Sequence, residues 1–451
     1  MARPKTFLSL ILAVTLTFTG ICQAQIFTPF DQTGPDDGAM DEMSQFGPFG
    51  QQPQDYYGGT MRANQFEEIY HGLWAQIGNM YYNADALKDW AQWEHKFDGK
   101  LNSKEALEAA LKAMIESLGD QWTRYVSVED QIKTNQEAMF GYVSLGIFLK
   151  KAPDGRFEID FLEWESAAQR SQLRRGDIII SINGTKLESM SQIQAANMMK
   201  AQEGNSVEVV YENAGKTAKT TLRAIPPAQQ SVIVKIIGKD ILYIRFPGFD
   251  SPERTIELVN GLNGVGQQFQ KSVKGIVLDM RGNPGGEFQE ALKVASIFME
   301  EGTIVRSQTR AGRIISDQNY TVIAPLAHTV AGSTKEEKDF FTSLLKAPMV
   351  LLVDANTASA AEIVTGALKD NKRATVLGET TYGKGVGYVT GRGPTGGVIT
   401  ITGLQYLTPS GFNLAHKGLA PDIKVEQPRE GDIDLQMTEA VKLLQEPIDR
   451  K

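Results

Sequence analysis

Residues Ala347–Asp370, "APMVLLVDANTASAAEIVTGALKD", decide the fold prediction for this chain of 451 residues. A continuous apolar run is followed by a short polar segment and then by apolar residues at helical spacing. This order predicts a strand, a loop and a helix, which together form one unit of a parallel sheet. Ser359 stands where the helix begins, and sites in such sheets form at the carboxyl ends of the strands.

The same order recurs on both sides of this stretch. "KGIVLDM" (274–280) is an apolar strand that leads through "RGNPGG" into a helix, and "ATVLGET" (374–380) is a third strand. Repeated units of this kind predict an α/β core with a parallel sheet over residues 227–428. The long stretch between Arg310 and Ala347 includes the charged segment "AGSTKEEKDF" (331–340), whose charges predict a solvated insertion in that core.

The N-terminal segments differ from the core in composition. Residues 1–24 have a positive start, an apolar run and "CQA" before Gln25, which predicts a cleavable signal peptide and an exported protein, periplasmic or secreted. A retained anchor and a lipoprotein signal are the alternatives. Residues 25–60 are rich in Gly, Pro, Gln and Asp and predict a disordered linker. No other apolar run reaches membrane length, so no stable membrane span is expected.

Residues 61–135 show helical periodicity and predict a small N-terminal helical cap. Within them, "NSKEALEAALKAMIESLGD" (102–120) places apolar residues on one stripe. Asn102 is the predicted N-cap and Gly119 the predicted stop. At the other end of the chain, residues 429–451 predict a C-terminal helix or tail.

Residues 136–226 change to a period of two. "GDIIISINGTKL" alternates isoleucines and then turns at Asn183-Gly184, a strong hairpin signal. A helix is predicted over 189–204, followed by two closing strands. Together with "YVSLGIFL" (142–149), this pattern resembles a bacterial PDZ domain, and a sandwich that serves only as a spacer is the alternative.

The PDZ resemblance implies a binding mode. Such domains capture a peptide C-terminus by strand addition, with backbone N–H groups of one loop holding the carboxylate. The loop that matches is "SLGI", which consists of Ser144, Leu145, Gly146 and Ile147.

Composition excludes several functions. A formal net charge of −8 argues against nucleic-acid binding through bulk charge. Cys22 is the single cysteine and leaves with the signal peptide, so neither disulfides nor a thiol nucleophile are expected. The four histidines show no paired spacing, so no metal and no organic cofactor are predicted.

Ser359 alone is ambiguous. Ser359 and Glu362 fit a capping box, and such caps vastly outnumber serine nucleophiles. A nucleophilic serine needs a base, and no histidine of this chain has motif context. A neutral lysine can serve instead when burial lowers its pKa.

Lys384 lies in "GETTYGKGVGY" (378–388), which comes within one residue of a phosphate-binding loop. Gly385 stands where that loop needs Ser or Thr, so a nucleotide site is not favoured. The segment from Ala355 to Gly385 closely resembles the active-site segment of the C-terminal processing peptidases, also called tail-specific proteases. Their pattern is a Ser in A-S-A followed by Glu, with a Lys in "GKG" about 25 residues later. The resemblance implies that Ser359 is the nucleophile and Lys384 the general base.

Two further blocks resemble the same family. "GIVLDMRGNPGG" (275–286) is similar to the family's "LDLRxNPGG" and implies an oxyanion hole formed by Gly285 or Gly286 together with Ala360. "LQYLTPSGFNLAHKGLAPDI" (404–423) is similar to its closing segment. The resemblance implies the fold shared by ClpP and crotonases, preceded by the helical cap and the PDZ domain.

One position departs from the family pattern. Many members carry Gln four residues after the lysine, and this chain has Tyr388. The expected function is that of an exported serine endopeptidase recruited to protein C-termini. The alternative is a weak or inactive PDZ-bearing scaffold, and an acyl-CoA enzyme of crotonase type is a third option. Expected partners are protein or peptide substrates, with an activator protein and the oligomeric state left open.

Overall fold

The computed structural model describes residues 63–120, 122–139, 142–152, 154–163, 166–225, 231–323, 334–428 and 433–445. The predicted signal peptide (1–24) and linker (25–60) lie outside the described residues. The chain divides into two compact units. Unit 1 combines residues up to Ser127 with Tyr388–Thr402, and unit 2 combines Val128–Gly387 with residues from Gly403 onward.

Helices and strands occur in both units. The helices are α1 (Ala63–Met80), α2 (Lys104–Glu116), α3 (Val128–Met139), α4 (Gln192–Met198), α5 (Pro252–Phe269), α6 (Phe288–Phe298), α7 (Lys335–Lys346), α8 (Ala360–Asp370) and α9 (Leu435–Gln445), with 3₁₀ turns at Ala84–Leu87 and Trp90–Trp93. The strands are β1 (Arg124–Val126), β2 (Tyr142–Ser144), β3 (Ile147–Lys151), β4 (Phe157–Leu162), β5 (Ile178–Ile182), β6 (Thr185–Lys186), β7 (Lys200–Gln202), β8 (Ser206–Asn213), β9 (Lys216–Arg223), β10 (Ile233–Ile237), β11 (Ile241–Arg245), β12 (Gly275–Asp279), β13 (Thr303–Ala311), β14 (Ile314–Thr321), β15 (Met349–Val353), β16 (Thr375–Gly378), β17 (Val386–Arg392), β18 (Val398–Leu407) and β19 (Ile423–Lys424).

Unit 1 packs α1 and α2 around an aromatic core. Its buried side chains include Tyr70, Ile77, Trp90, Leu107, Leu111, Met114, Ile399 and Ile401. Helix α2 is capped by Ser103, whose Oγ accepts the Ala106 N–H at 3.2 Å. The prediction of Asn102 as the cap was wrong by one residue.

The last strands of unit 1 come from far along the chain. β1 pairs antiparallel with the first residues of β18, with Arg124 opposite Thr400. This pairing brings Ile399 and Ile401 into the helical core. The short strand β1 was not predicted, because only three residues form it.

The PDZ region of unit 2 forms an antiparallel sheet in the order β3-β4-β5-β8-β9, with β6 beside β5. The predicted hairpin turn is confirmed: Asn183 (φ 47°) and Gly184 (φ 78°) both adopt positive φ, as a type I′ turn requires. The helix predicted over 189–204 is shorter, since α4 ends at Met198 and Lys200–Gln202 pairs with β2 instead.

The core of unit 2 is the predicted parallel sheet. Its order is β10-β11-β12-β15-β16-β19, and all neighbours are parallel except β10 and β11. The inner strands β11, β12 and β15 are buried on both faces. Ile276 and Leu278 join a core cluster with residues of α5, α6, α7 and α8, whereas Val277 belongs to a second cluster with residues of α9. Continuous apolar strands are the expected signature of such burial.

Helix α7 corrects the prediction of a solvated insertion. Thr334 and Glu337 cap it reciprocally, and the helix buries Phe340, Phe341 and Leu344 in the main core. The charges of its first turn lie on one face only, so the segment is an amphipathic part of the domain.

Candidate functional site

Three loops follow three neighbouring parallel strands. The glycine loop (281–287) follows β12, the serine loop (354–359) follows β15, and the lysine loop (379–385) follows β16. Because parallel strands end at the same edge of a sheet, the three loops meet there.

Asp354 joins the glycine loop to the serine loop. Its Oδ1 accepts the Gly282 N–H at 2.7 Å and the hydroxyl of Thr357 at 3.1 Å. In addition, the carbonyl of Asn283 accepts the Ala358 N–H at 2.9 Å. Burial raises the pKa of Asp354, while these N–H and O–H donors act in the opposite direction. The two loops are therefore held as one rigid pair.

Ser359 has an unusual backbone at the start of α8. Its φ is 56° and its ψ −120°, a conformation that L-residues rarely adopt, and the residue is 9% exposed. Such a conformation costs on the order of 1–3 kcal/mol and persists only where the surroundings enforce it. A sharp strand-to-helix turn of this kind exposes a serine hydroxyl at the end of the sheet in α/β-hydrolases.

Glu362, on α8, connects Ser359 to the lysine loop through hydrogen bonds. Its fully buried carboxylate accepts the Ser359 N–H at 2.9 Å and the Lys384 N–H at 2.8 Å on the same oxygen, Oε2. The other oxygen accepts the Gly383 N–H at 2.7 Å and the Thr381 hydroxyl at 2.5 Å. Burial raises the pKa of Glu362, and these donors oppose that rise. Ser359 and Lys384 are thus fixed side by side through one carboxylate.

The glycines on either side of Lys384 permit a close backbone contact. A Cβ at Gly385 would lie 2.6 Å from the Ala415 nitrogen, and one at Gly383 would lie 2.8 Å from the Gly418 nitrogen. The Gly383 carbonyl also accepts the His416 N–H at 2.8 Å. The segment 415–418, which belongs to the closing motif of the sequence, therefore supports the lysine loop directly.

The two candidate glycines of the glycine loop differ in their N–H groups. Gly285 donates its N–H to Asn283 Oδ1 at 2.9 Å. Among the described residues, neither the Gly286 N–H nor the Ala360 N–H has a hydrogen-bond acceptor. Gly285 also lies against the serine, since a Cβ there would stand 2.6 Å from Ser359 Cβ.

The PDZ region contacts the serine and lysine loops through Tyr382. The Tyr382 hydroxyl donates to the buried carboxylate of Asp160 on β4, and the Arg175 guanidinium lies 4.6 Å from the Tyr382 ring centroid. Arg175 also donates to the carbonyls of Tyr382 at 3.2 Å and Ala355 at 3.3 Å. Asn356 Oδ1 accepts the Leu162 N–H at 3.0 Å. The PDZ sheet is thus bonded to both loops.

The predicted peptide-binding residues Ser144–Ile147 lie elsewhere in the PDZ region, at the end of β2 and the start of β3. Leu145 donates its N–H to the Met199 carbonyl at 2.9 Å, and Gly146 donates its N–H to Ser144 Oγ at 3.0 Å. β3 is an edge strand of the PDZ sheet. The edge is a place for strand addition, while two N–H groups of the loop are already engaged within the chain.

Tyr388 is half-buried on β17, four residues after Lys384. It is the first residue of the stretch that belongs to unit 1, whereas Lys384 belongs to unit 2.

Three residues of the site were not predicted from the sequence: Thr381, Tyr382 and Arg175. The capping-box pattern had pointed to Glu362, but only as a helix cap. A tyrosine two residues before the lysine offers no sequence signal of its own, because its partners come from a different domain.

Comparison with known proteins agrees with this architecture. Residues 240–425 match peptidase family S41, and residues 139–212 match the PDZ domain. A "Probable CtpA-like serine protease" of Staphylococcus haemolyticus (strain JCSC1435) is 26% identical over 74% of this chain and 63% of its own length. One from Staphylococcus aureus (strain MRSA252) is 28% identical over 73% of this chain and 62% of its own length. This chain thus spans less than two thirds of these relatives.

The fold has a solved counterpart. The photosystem II D1 C-terminal processing protease superposes with a TM-score of 0.66 at 21% identity, over 83% of this chain and 96% of that one. None of the helices among the described residues combines the length and apolar character that crossing a bilayer requires. In these comparisons residues 240–425 are similar to peptidase family S41, residues 139–212 are similar to the PDZ domain, and the curated relatives are named as CtpA-like serine proteases.

Proposed function

We propose that this chain is a serine endopeptidase in which Ser359 is the nucleophile and Lys384 the general base. The observation that supports the proposal is the shared Oε2 of Glu362, which accepts N–H bonds from both residues. A nucleophile and its base must lie within hydrogen-bond reach, and a common anchor holds both residues in register.

The reaction proceeds in two balanced steps. Neutral Lys384 Nζ takes the proton of Ser359 Oγ as that oxygen attacks the peptide carbonyl, and the resulting ammonium gives the proton to the departing amine. An acyl-enzyme remains on Ser359. Lys384 then takes a proton from water, whose oxygen attacks the ester, and returns it to Ser359 as the acid product leaves.

We assign the oxyanion hole to the N–H groups of Gly286 and Ala360. Both lack an acceptor among the described residues, whereas the Gly285 N–H is donated to Asn283. Gly285 has a different role. Because it carries no side chain, the glycine loop can approach Ser359 closely. Removal of one such donor costs about 2.7–4 kcal/mol of transition-state stabilisation in other serine proteases.

We further propose that the PDZ region recruits substrate C-termini at the edge strand β3, with Ser144–Ile147 as the carboxylate loop. Because Leu145 and Gly146 use their N–H groups internally, carboxylate capture requires this loop to rearrange. Tyr388 is proposed to orient Lys384 in place of the family glutamine.

We also propose that the protein is exported and that its core is preceded by a helical cap and the PDZ region. Residues 1–24 act as a signal peptide, which directs the protein to the periplasm or the exterior. The core is of the ClpP/crotonase type, and the helices of residues 61–135 form a cap. The domain boundaries predicted from the sequence belong to the same proposal.

Labelling with a fluorophosphonate, together with a casein digest, tests the central proposal. The wild-type chain should label and digest, and Ser359→Ala and Lys384→Ala should each abolish turnover with an unchanged melting temperature. The double variant should be no worse than either single one, because such residues act as a unit. A folded wild-type chain that neither labels nor digests would instead favour the PDZ-bearing scaffold, which the departure at Tyr388 suggests.

A further inference from the structure

Three side chains of unit 1 that carry metal-ligating atoms converge from two segments. His71 lies on α1, and His95 and Asp98 lie just after the 3₁₀ turn Trp90–Trp93. His71 Nε2 is 2.9 Å from Asp98 Oδ1, and His95 Nδ1 is 2.9 Å from Asp98 Oδ2. One ligand atom from each residue lies within 4.8 Å of the others. Two of the four histidines of the chain are thus gathered around one carboxylate.

We propose that His71, His95 and Asp98 bind one zinc ion. Two imidazoles and a carboxylate form a common protein ligand set for zinc, with a fourth position left for water. Bonds of about 2.0–2.2 Å in a tetrahedron place ligand atoms roughly 3.3 Å apart. The two imidazole–carboxylate distances, 2.9 Å each, are already near that value.

In the cluster, zinc would take the place of the protons that now lie between the two imidazoles and the Asp98 carboxylate. Each imidazole nitrogen facing Asp98 shares a proton with the carboxylate, and it must present a lone pair to bind metal. The proton then resides on the opposite nitrogen of each ring. For His95 this is Nε2, which lies 3.9 Å from Glu94 Oε1. A carboxylate behind a metal-bound imidazole fixes its tautomer and strengthens the ligand, so Glu94 fits a supporting role.

The backbone around the cluster is held before any metal arrives. The Tyr70 hydroxyl donates to the Trp93 carbonyl at 2.7 Å, and the indoles of Trp74 and Trp90 each donate to the other's carbonyl at 3.0 Å. Such contacts fix α1 against the segment that carries His95. Preorganised ligands lose little entropy on binding.

The other side of the cluster is anchored and open to solvent. Glu67, one helical turn before His71, accepts the Gly99 N–H at 2.6 Å and so fixes the turn that carries Asp98. The side chains of His95 and Asp98 are 68% and 43% exposed, which gives an ion a direct path from solvent. The mixed nitrogen and oxygen ligands favour zinc over magnesium, which prefers oxygen ligands and keeps its waters.

A zinc titration of the full chain tests the proposal. The protein carries no histidine tag and is freed of metal with a chelator, which is then removed. Competition with a zinc indicator should give one ion per chain. His71→Gln and His95→Gln should each weaken zinc binding at least about tenfold. Glutamine is chosen because it can still hydrogen-bond to Asp98 while it is a poor zinc ligand.

Asp85→Asn is the matched control, since it removes one exposed carboxylate from the same domain outside the cluster. It should bind zinc like the wild type. Zinc should also raise the melting temperature of the wild type and of Asp85→Asn but not of the His71→Gln/His95→Gln double variant, and magnesium should have no such effect. Absence of stoichiometric zinc binding to the wild type, or unchanged affinity in the folded double variant, overturns the site.

Discussion

At the scale of single residues, Glu362 shows how a helix cap can acquire a second role. A cap needs only the Ser359 N–H, yet this carboxylate also holds two amides and one hydroxyl of the lysine loop. Because burial raises its pKa, its ionised form opposes folding once the pH exceeds the carboxyl's unfolded pKa. Its bonds to the Thr381 hydroxyl and to the Gly383 and Lys384 N–H groups indicate that Glu362 positions the lysine loop in addition to capping α8.

Glu362→Gln should therefore lower kcat by at least about a hundredfold. The amide NH₂ of glutamine cannot accept the N–H bonds that one carboxylate oxygen now accepts, and each orphaned donor costs about 1–3 kcal/mol. The measurement is the rate of fluorophosphonate labelling together with a thermal melt. Glu379→Gln removes the same charge from the same loop without touching Ser359 or Lys384, and it should retain most of the activity. Equal labelling of both variants would rule out the positioning role.

Tyr388→Phe tests whether the phenol orients the base. If it does, kcat should fall more than KM rises, because orientation of the base matters in the transition state. Tyr388→Gln, which restores the family residue, should preserve or raise the activity. The measurements are steady-state kinetics and a melting curve for each variant. An unchanged kcat in a well-folded Tyr388→Phe would remove Tyr388 from the mechanism.

At the scale of elements, the lysine loop depends on a strand of another domain. The Tyr382 hydroxyl donates to Asp160, the Arg175 guanidinium lies over the Tyr382 ring, and Phe161 stands edge-on to that ring at 6.1 Å. Since Tyr382 is only two residues before Lys384, a displacement of the PDZ region would shift the loop that carries Lys384, the proposed base.

Arg175→Ala should lower kcat about tenfold or more, with a smaller change in KM. It removes two hydrogen bonds from a charged donor, each worth about 1.5–3 kcal/mol, and one cation–π contact. Arg170→Ala is the control, because Arg170 is an exposed arginine of the same PDZ region. Peptidase kinetics on folded variants provide the test. If the two variants keep identical kcat values, the contact with Tyr382 has no catalytic consequence.

Arg281, the first residue of the glycine loop, forms an ionic contact with the residue just before the C-terminal helix α9. Arg281 donates to the buried Asp279 at 2.6 and 2.9 Å and to both oxygens of Asp434 at 2.9 Å, just before α9. Although burial alone would raise them, contacts with Arg281 hold the pKa values of both Asp279 and Asp434 below their ordinary range. Their stabilisation is therefore present above the unfolded carboxyl pKa and is lost as the pH falls through the folded values.

In Asp434→Asn, the free energy of unfolding should consequently fall less steeply than in the wild type as the pH is lowered into the acid range. The loss at neutral pH should be about 1–2 kcal/mol, a modest value because solvent reaches Asp434 and screens the pair. Melting temperatures from pH 7 down to the acid transition provide the measurement. Asp317→Asn, a change on the exposed strand β14, should leave the profile unaltered. A parallel downward shift at every pH would argue against the proton linkage.

For the molecule as a whole, the proposed role of the PDZ region is to bind the free C-terminus of a substrate. If Ser144–Ile147 bind a carboxylate, amidation of a substrate's C-terminus should raise KM about tenfold or more, because a charged partner of buried N–H groups is lost. Matched peptides with free and amidated ends, cleaved by the same enzyme, give the answer. Equal cleavage would assign the PDZ region another task.

The sequence predicted the parts of the molecule that rest on local patterns. The apolar strands β12, β15 and β16 and the turn at Asn183-Gly184 were found where expected, because their signals lie within a few residues. Helix α7 was missed because charged residues open it, and the contact of Tyr382 with Arg175 was missed because it joins residues far apart in the chain. Glu362 was noticed for its spacing to Ser359, but its bonds to the lysine loop depend on a crossover that no local pattern encodes.

The split of unit 1 between two distant stretches also determines the order in which the chain can finish folding during synthesis. When residues 63–127 leave the ribosome, β1 has no partner strand, and Ile399 and Ile401 are not yet present to close the core. Domains usually complete their folds from the N-terminus onward. Here residues 63–127 lack a partner strand and two core side chains until residue 402 has been translated, so this segment is among the last of the described parts of the chain to reach its final structure.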